Sequence, residues 1–213
     1  MKHDFPESYH EASEQCSLLG VRIGEGHYRK IGGFLDLLGK TAKKTNLVGP
    51  AEISRLWTRH VLESLAFIPF LPTEKVIDIG TGAGFPGMIL AICGFEVTMV
   101  ESRRKRCAFL ETAARGCGVS CSIINSRIED LNSFPGHSIF TSRAVKGPEI
   151  MAELIKPAVA GEFVLVTRVS ERTETCSNAV ISEMLPIPPL DRNGFILQYR
   201  SPCKIELSGK VTE

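Results

Sequence analysis

The sequence predicts an α/β fold in which a helical extension precedes a largely parallel sheet. From Lys75 onwards, short apolar runs alternate with helical segments, a rhythm typical of strand–helix–strand units. A glycine-rich turn follows the first run, and before residue 72 the apolar residues recur at helical spacing. We therefore predict a helical extension over residues 1–72 and a sheet domain over residues 73–213, which together form one integrated structural unit.

Two apolar stripes predict the helices of the extension. Within each stripe, apolar residues recur as they do along one face of a helix. Trp57 lies within the second stripe, and Pro69 and Pro72 mark the exit into the sheet. The stripes consist of Tyr28, Ile31, Phe34, Leu35 and Leu38, and of Ile53, Leu56, Val61, Leu62 and Leu65.

The sheet domain is predicted to contain five successive strands with helices between them. The predicted strands cover residues 76–79, 96–100, 121–124, 138–142 and 162–166. The predicted helices cover residues 86–93, 103–116, 127–131 and 148–156. After a polar stretch over residues 170–178, we expect two late strands, over 195–199 and 205–207, to form a closing hairpin at one edge of the sheet.

The glycine-rich turn predicts a nucleoside-containing cofactor. Gly80, Gly82 and Gly84 leave no side chain between the backbone and a ligand. A dinucleotide site requires G-x-G-x-x-G, whereas this turn has G-x-G-x-G preceded by Asp78. S-adenosylmethionine has no phosphate to bind, and a carboxylate near the turn suits its cationic end. The spacing favours S-adenosylmethionine, and a nicotinamide or flavin site, or a plain strand–turn–helix corner, remains as the alternative.

Further cofactor contacts are predicted at the ends of the next strands. Glu101 ends the second strand about twenty residues past the glycines, where an acid binds ribose hydroxyls in doubly wound sheets. Ile128 and Glu129 follow the third strand, where an apolar side chain packs on adenine and a polar group meets its amino edge. Phe85, in the glycine turn, is a second candidate for contact with adenine. Core packing is the alternative for these residues.

The residues at the end of the fourth strand help to indicate which kind of atom accepts the methyl group. Methyltransferases that act on amines carry an Asn/Asp-Pro-Pro-aromatic run there, but this chain has Thr141-Ser-Arg-Ala144. Carbon-5 pyrimidine methylation needs a Cys nucleophile, and Pro202-Cys203 falls in the late hairpin, where we expect a structural role. Guanine N7 carries no proton at neutral pH and needs no general base. We predict that Arg143 holds the base or the cofactor carboxylate; a salt bridge at a strand end is the alternative.

Two basic patches predict contact with RNA. Residues 103–106 have the sequence Arg-Arg-Lys-Arg and lie at a predicted helix N-terminus, where the helix dipole disfavours cations. Because cations at such a position suggest a function, we predict that Arg103, Lys105 and Arg106 bind phosphate. A solvated helix face is the alternative. The second patch has Glu52 as the only acid within residues 40–60. Its members are Lys40, Lys43, Lys44, Arg55, Arg59 and His60, the last with a structural role as its alternative.

Composition narrows the classes of function. Seven scattered cysteines without a C-x-x-C pair indicate reduced thiols, not a disulfide scaffold or a zinc site. No apolar run is long enough to span a bilayer, and the N-terminus lacks the apolar core of a signal peptide. We therefore expect a cytoplasmic protein with no metal and no membrane partner. The net charge of +1 means that nucleic acid must be bound by local patches.

Six segments, taken together and in order, resemble the glucose-inhibited division protein B family, the bacterial small-subunit rRNA guanine-N7 methyltransferases. The likeness covers about residues 25–200. The Gly-Phe-Pro-Gly ending of the turn, combined with Arg-His-x-Leu and Ser-Arg-Ala, is more specific than any single motif. The segments are Asn46-Leu-Val48, Arg59-His-Val-Leu-Glu-Ser64, Asp78-Ile-Gly-Thr-Gly-Ala-Gly-Phe-Pro-Gly87, Glu101-Ser-Arg-Arg-Lys-Arg106, Ser126-Arg-Ile-Glu129 and Ser142-Arg-Ala144.

This resemblance implies a cytoplasmic enzyme with a Rossmann-like S-adenosylmethionine-dependent methyltransferase fold. It implies methyl transfer to N7 of one guanine in the decoding region of small-subunit (16S) rRNA, and we expect a monomer that binds this rRNA or the 30S particle. The family's cofactor positions are matched by Gly80, Phe85, Ile128, Glu129 and Arg143. The polar positions around its RNA-facing cleft are matched by Asn46, Arg59, His60, Lys105, Arg106 and Arg127, and we assign catalytic roles to Arg143, Asn46 and Arg127.

One segment departs from the family pattern. Where the family commonly has Leu-Lys-Gly after the fifth strand, this chain has Thr167-Arg168-Val169. Arg keeps the charge but presents a planar fork instead of a point charge, so the change bears on loop geometry and substrate affinity. The alternatives for the whole protein are a methyltransferase acting on another RNA, a protein or a small molecule, an inactive cofactor-binding relative, and a nicotinamide oxidoreductase.

Overall fold

The architecture is taken from a computed structural model of the chain. The model describes residues 3–45, 47–131, 133–134, 139–143, 146–169, 180–186 and 195–201. None of the helices among these residues has the length and apolar character needed to cross a membrane.

The extension is helical, as the apolar stripes predict. Its helices are α1 (Tyr9–Ser17), α2 (Glu25–Thr45), α3 (Pro50–Ile53) and α4 (Leu62–Leu65), with a π-helical turn (Leu56–Val61) before α4. Ser8 caps α1 by accepting a hydrogen bond from the Glu11 N–H. On α2, the residues of the first stripe from Ile31 to Leu38 are fully buried, which confirms the spacing argument.

Seven strands form one sheet in the part of the chain that the structure describes. They are β1 (Lys75–Ile79), β2 (Glu96–Val100), β3 (Ser122–Ile124), β4 (Ile139–Ser142), β5 (Val164–Val169), β6 (Val180–Pro186) and β7 (Phe195–Arg200). Their order is β3-β2-β1-β4-β5-β7-β6. The pairs among β1 to β5 are parallel, and β7 is antiparallel to both neighbours. All five predicted strands of the parallel part are confirmed.

Helices and short turns connect the parallel strands. They are α5 (Gly87–Ile92), α6 (Arg104–Cys117) and α7 (Pro148–Ile155), with 3-10 turns at Ile128–Asp130 and Lys156–Ala158. Another 3-10 turn, Ile68–Phe70, leads from the extension into β1. The helix predicted over 127–131 is thus a single tight turn, and the other three helices lie within a few residues of their predicted positions.

The late hairpin differs from the prediction in its partner strand. β7 confirms the strand expected over 195–199, but it pairs with β6, and lies between β5 and β6. β6 was not predicted, because Ser182 and Glu183 interrupt its apolar run. In the structure, a register shift divides its pairing with β7 between Ile181 and Met184. Residues 205–207 and Pro202-Cys203 lie outside the described residues.

The core explains how the extension is held to the sheet. On β1, Val76 packs with the α2, α5 and α6 side, whereas Ile77 and Ile79 pack with α7, following the two-residue period of a strand. Phe34 of α2 and Leu110 of α6 belong to the same apolar cluster. The division of the chain at residue 72 remains a prediction, but apolar packing is continuous across it.

Gly87→Ala is expected to destabilise the protein by about 2 kcal/mol or more, because overpacking is costly. An added Cβ would lie 2.7 Å from Asp78 Oδ2 and 2.7 Å from Met99 Cγ. Gly116→Ala is the matched control, since a Cβ there meets nothing within 4 Å and gains up to about 1 kcal/mol of helix propensity. Urea unfolding measures both; equal stability of the two variants would contradict the close packing at Gly87.

Candidate active site

A cleft of about 650 Å³ opens at the carboxyl ends of the parallel strands. Ile79 at the end of β1, Val100 at the end of β2 and Arg143 after β4 line it. Because β2 and β4 lie on opposite sides of β1, the strand order changes direction here. Such switch points are where doubly wound sheets bind ligands. The cleft therefore lies where the sequence places the cofactor.

The glycine turn forms one wall of the cleft. Gly80 and Gly82 line it and have φ angles of 68° and 62°, a conformation that favours glycine. Gly84, with a φ of 101°, faces the core, where an added Cβ would lie 3.0 Å from Met88 Cβ and 3.1 Å from Leu110 Cδ2. Two of the three predicted glycines thus meet the cleft, and Gly84 packs the turn against the helices behind it.

Asp78 supports the turn from below and does not face the cleft. Its side chain is fully buried. Oδ2 accepts a hydrogen bond from the Gly87 N–H at 2.8 Å, and Oδ1 accepts one from Thr141 Oγ1 at 3.0 Å. Burial raises the pKa of the Asp78 carboxyl, and these hydrogen bonds oppose that shift. The predicted contact with a ligand's cationic end is therefore corrected to a role in holding the turn.

Glu101 faces the cleft at the end of β2, as predicted. Its Oε1 accepts a hydrogen bond from the Arg103 N–H at 2.8 Å, and its Oε2 accepts one from the Gly82 N–H at 3.1 Å. Arg106 Nη1 lies 3.4 Å from Oε2. A carboxylate has about four acceptor positions, so Glu101 fixes the turn and keeps capacity for a further donor from the cleft.

Ile128 and Glu129 follow β3 at the opposite wall. Ile128 is buried and lines the cleft together with Met151 of α7. Glu129 is exposed and forms an ion pair with Lys146 across 3.5 Å. A hydrogen bond from its own backbone lowers the pKa of Glu129. This wall offers an apolar surface beside a carboxylate.

Arg143 is the most constrained charge in the site. Its Nη2 donates a hydrogen bond to His60 Nδ1 at 2.6 Å, and its Nη1 donates to Glu63 Oε2 at 3.2 Å and to the Arg59 carbonyl at 3.4 Å. The guanidinium carbon lies 5.2 Å from the centre of the Phe85 ring, within range of a cation–π interaction. Burial lowers the pKa of Arg143, and the Glu63 charge opposes that shift.

Phe85 is held between the core and this cation. The ring is 3% exposed, and its centre lies 5.4 Å from that of Phe34 and 5.0 Å from that of His60. Phe85 still lines the cleft. Its observed role is to cover one side of Arg143.

His60 is neutral and does not supply a cation for phosphate. Because Nδ1 accepts from Arg143, the proton lies on Nε2, which donates to Glu52 Oε2 at 3.1 Å. Burial, with the charges of Arg143 and Arg59, lowers the pKa of His60 to about 2. The predicted role of His60 in binding RNA as a charge is corrected, and the structural alternative describes it better.

Arg59 reaches the cleft from the π-helical turn. Its Nε forms a 2.7 Å ion pair with Glu52 Oε2. Its Nη1 is buried and has no hydrogen-bond partner among the described residues. An unsatisfied buried donor is costly, so this atom is suited to donate to a ligand in the cleft.

The predicted RNA-binding cations divide into two groups. Arg103, Lys105 and Arg127 are exposed, and Arg103 and Arg127 lie on the cleft itself. Arg106 is partly buried, and its Nη1 forms an ion pair with Glu101 Oε2 across 3.4 Å. Arg106 also lines the cleft, and its contact with phosphate stays a prediction. Asn46 and the side chains of residues 43 and 44 lie outside the described residues.

Glu63 and Asn125 contribute to the site but were not predicted from the sequence. Buried Glu63 accepts from Arg143, and its Oε1 lies 2.9 Å from Arg168 Nε in an ion pair. Asn125 Nδ2 donates to the Glu101 carbonyl at 2.9 Å, which fixes the end of β2. Glu63 lies in the Arg59–Ser64 motif, so that motif carried a signal for it; the role of Asn125 depends on the fold.

Burial governs the described cysteine thiols, whose pKa values it raises. Burial raises the pKa of Cys16 and of Cys93 to about 12. These thiols are protonated at neutral pH and are poor nucleophiles. Among the described residues, no group of three or more His, Cys, Asp or Glu side chains is placed to hold a metal ion.

Comparison with known proteins identifies related sequences. A model of the family described as rRNA small subunit methyltransferase G matches residues 27–183. Two relatives are named ribosomal RNA small subunit methyltransferase G. The one from Gluconobacter oxydans is 40% identical over 132 residues, covering 61% of this chain and 68% of the relative. The one from Dinoroseobacter shibae is 39% identical over 137 residues, covering 60% of this chain and 70% of the relative.

A solved structure confirms the predicted fold. Magnesium protoporphyrin IX methyltransferase from Synechocystis PCC 6803 superposes with a TM-score of 0.54 at 12% identity. The match covers 79% of this chain and 97% of that one. The Rossmann-like methyltransferase fold that the family resemblance implies is therefore present.

His60→Gln is expected to make stability less dependent on pH. The ordinary pKa of His is 6.5, against about 2 for folded His60. Below pH 6.5 the unfolded chain therefore binds one more proton, and the stability that neutral His60 contributes above that pH is lost as the pH falls. The loss is about 1.4 kcal/mol per pH unit between about pH 6 and about pH 4.

Gln at this position keeps an acceptor for Arg143 and a donor for Glu52, and it does not titrate in this range. Urea unfolding of both proteins at a series of pH values measures the difference in slope. Identical slopes would contradict a buried, neutral His60.

Proposed function

The chain belongs to the rRNA small subunit methyltransferase G family, and on this premise we propose that it transfers a methyl group from S-adenosylmethionine to N7 of a guanine in small-subunit (16S) rRNA. The observation that carries the proposal is that the groups beside Arg143 are suited to holding and orienting a substrate. His60 has a pKa of about 2, and Glu52 is paired with Arg59. Guanine N7 needs no base to remove a proton, so it suits this arrangement.

The residues of the cleft fit S-adenosylmethionine. Gly80 and Gly82 bring bare backbone to the cleft, and Glu101 keeps an acceptor for a ribose hydroxyl. Ile128 offers an apolar surface for adenine, and Glu129 lies beside it for the polar edge. When bound, S-adenosylmethionine supplies a methyl group on a positively charged sulfur.

Arg143 performs the positioning that the reaction needs. Its guanidinium is fixed by Glu63 and His60, so it holds the cofactor carboxylate or the target base at one orientation. Orientation of the reacting groups accounts for several kcal/mol of a typical barrier, on the order of 7–11 at most. Methylation at N7 leaves the base positively charged, and the carboxylates of Glu52, Glu101 and Glu129 line the same cleft.

The RNA lies across the rim of the cleft. Arg103 and Arg127 are exposed at the cleft, and Lys105 is exposed two residues after Arg103. Arg59 Nη1 is a buried donor with no partner among the described residues. A base enters such a cleft only after it leaves its stack. The substrate is the rRNA or the 30S particle, bound by one copy of the chain, with Asn46 and Arg127 as further polar groups at the target base.

The first experiment is methyl transfer from labelled S-adenosylmethionine to small ribosomal subunits prepared without this enzyme. We expect one N7-methylguanine in the 16S rRNA. Arg143→Lys, which keeps the charge but loses the planar fork, is expected to lower kcat/KM by about a hundredfold. Gly116→Ala serves as the control. Cofactor binding without transfer to any ribosomal particle would refute the proposal and favour another methyl acceptor or an inactive relative.

Removing rim cations is expected to weaken RNA binding, most strongly at low salt, and to make binding less dependent on salt. Arg103→Ala with Lys105→Ala is expected to make the slope of log K against log salt less negative by about 2. Arg115→Ala, at the other end of α6, is the matched control and leaves the slope unchanged. Binding of small subunits over a range of KCl concentrations measures the slopes. An unchanged slope in the double variant would show that these residues form a solvated helix face and do not contact phosphate.

A further inference from the structure

We propose that Asp4 is a positioning residue for the cleft. Residues 3–8 brace the π-helical turn that carries Arg59 and His60, and this brace fixes the acceptors that hold Arg143. The inference rests on the proposed function for its effect on RNA methylation, but the brace itself can be measured without any activity.

Asp4 supplies the cap that the π-helical turn lacks. Arg55, the residue before Leu56, makes no capping hydrogen bond with its side chain. Asp4 Oδ1 instead accepts from the Trp57 N–H at 2.7 Å, and Oδ2 accepts from the Thr58 N–H at 3.0 Å and from Thr58 Oγ1 at 2.6 Å. The first N–H groups of a helix have no partner within the helix. A carboxylate 53 residues away in the chain therefore satisfies two of them.

The residues next to Asp4 are anchored to α2 and to the turn. The Phe5 ring stacks on Tyr28 with centroids 4.7 Å apart and meets the Trp57 ring edge-on at 5.4 Å. The Pro6 carbonyl accepts a hydrogen bond from Tyr28 Oη at 2.8 Å. Asp4 is thus held in place by its neighbours, and its carboxylate stays directed at the turn.

The capped turn leads directly to Arg143. Thr58 is followed by Arg59, whose carbonyl accepts from Arg143, and by His60, whose Nδ1 accepts from Arg143. These acceptors belong to one six-residue turn, so a shift of its first residues moves them. Because Arg59 and His60 also line the cleft, the brace sets the geometry of the side that faces RNA.

The test compares Asp4→Ala and Asp4→Asn with wild type. Asp4→Asn keeps the shape and one acceptor, so its effects are expected to be intermediate. Glu14→Gln is the matched control, since Glu14 is an exposed acid on α1 whose side chain pairs with exposed His10. The first readout is hydrogen exchange of the Trp57 and Thr58 amides. In Asp4→Ala their exchange is expected to accelerate by roughly tenfold, the usual size of a lost cap.

Two further readouts separate positioning from a general loss of structure. The amides of Ile77 and Met99 in the sheet are expected to exchange at the wild-type rate. The KM for small subunits is expected to rise by about five- to tenfold while the affinity for S-adenosylmethionine changes by less than about twofold. Emission of Trp57, the single tryptophan of the chain, reports the change at the turn independently.

Each outcome bears on a distinct part of the proposal. Unchanged exchange at Trp57 and Thr58 would overturn the brace, and equal acceleration at Ile77 and Met99 would show only a general loss of stability and would also overturn it. Faster exchange at the turn with an unchanged KM would overturn the positioning role. If the wild-type protein transfers no methyl group to small subunits, the proposed function fails, and exchange at the turn then decides the brace by itself.

Discussion

A buried guanidinium is the constraint around which this cleft is organised. Arg143 lies at the end of β4, where a charge removed from water must be paired to be tolerated. Glu63 supplies the opposite charge, His60 and the Arg59 carbonyl supply acceptors, and the Phe85 ring covers one side of the cation. Three of these four partners belong to the helical extension. The sheet alone therefore cannot complete the site, which gives the extension a functional reason to pack against it.

Burial assigns different tasks to chemically similar groups in this protein. Asp78 and Glu101 both end parallel strands beside the glycine turn, but Asp78 is enclosed beneath the turn while Glu101 opens to the cleft. Among the cations, Arg106 is paired with Glu101, whereas Arg103 is exposed at the cleft. In the proposed function, the inner charges build the cofactor side of the cleft, and the outer charges give a nearly neutral chain a local surface for RNA.

The sequence was sufficient for the regular elements and for the location of the site. Strand and helix periods, and the glycines of the turn, are local properties of the chain, so the five parallel strands could be predicted. The prediction failed for β6, because its polar residues and register shift obscure the strand period. It also failed for the roles of Asp78 and His60, because residue type does not reveal how deeply a side chain is buried or which group lies opposite it.

The order of the elements, the glycine turn and the family motifs can be predicted from short stretches of chain, because they are local properties. The pairing of the charges can be seen only in the folded protein. Arg143 and Glu63 are 80 residues apart, and Thr141 and Asp78 are 63 apart. Such contacts exist only after the extension and the sheet have packed together. The burial and the partners of a charged side chain decide its role, and both are set by residues from distant parts of the chain.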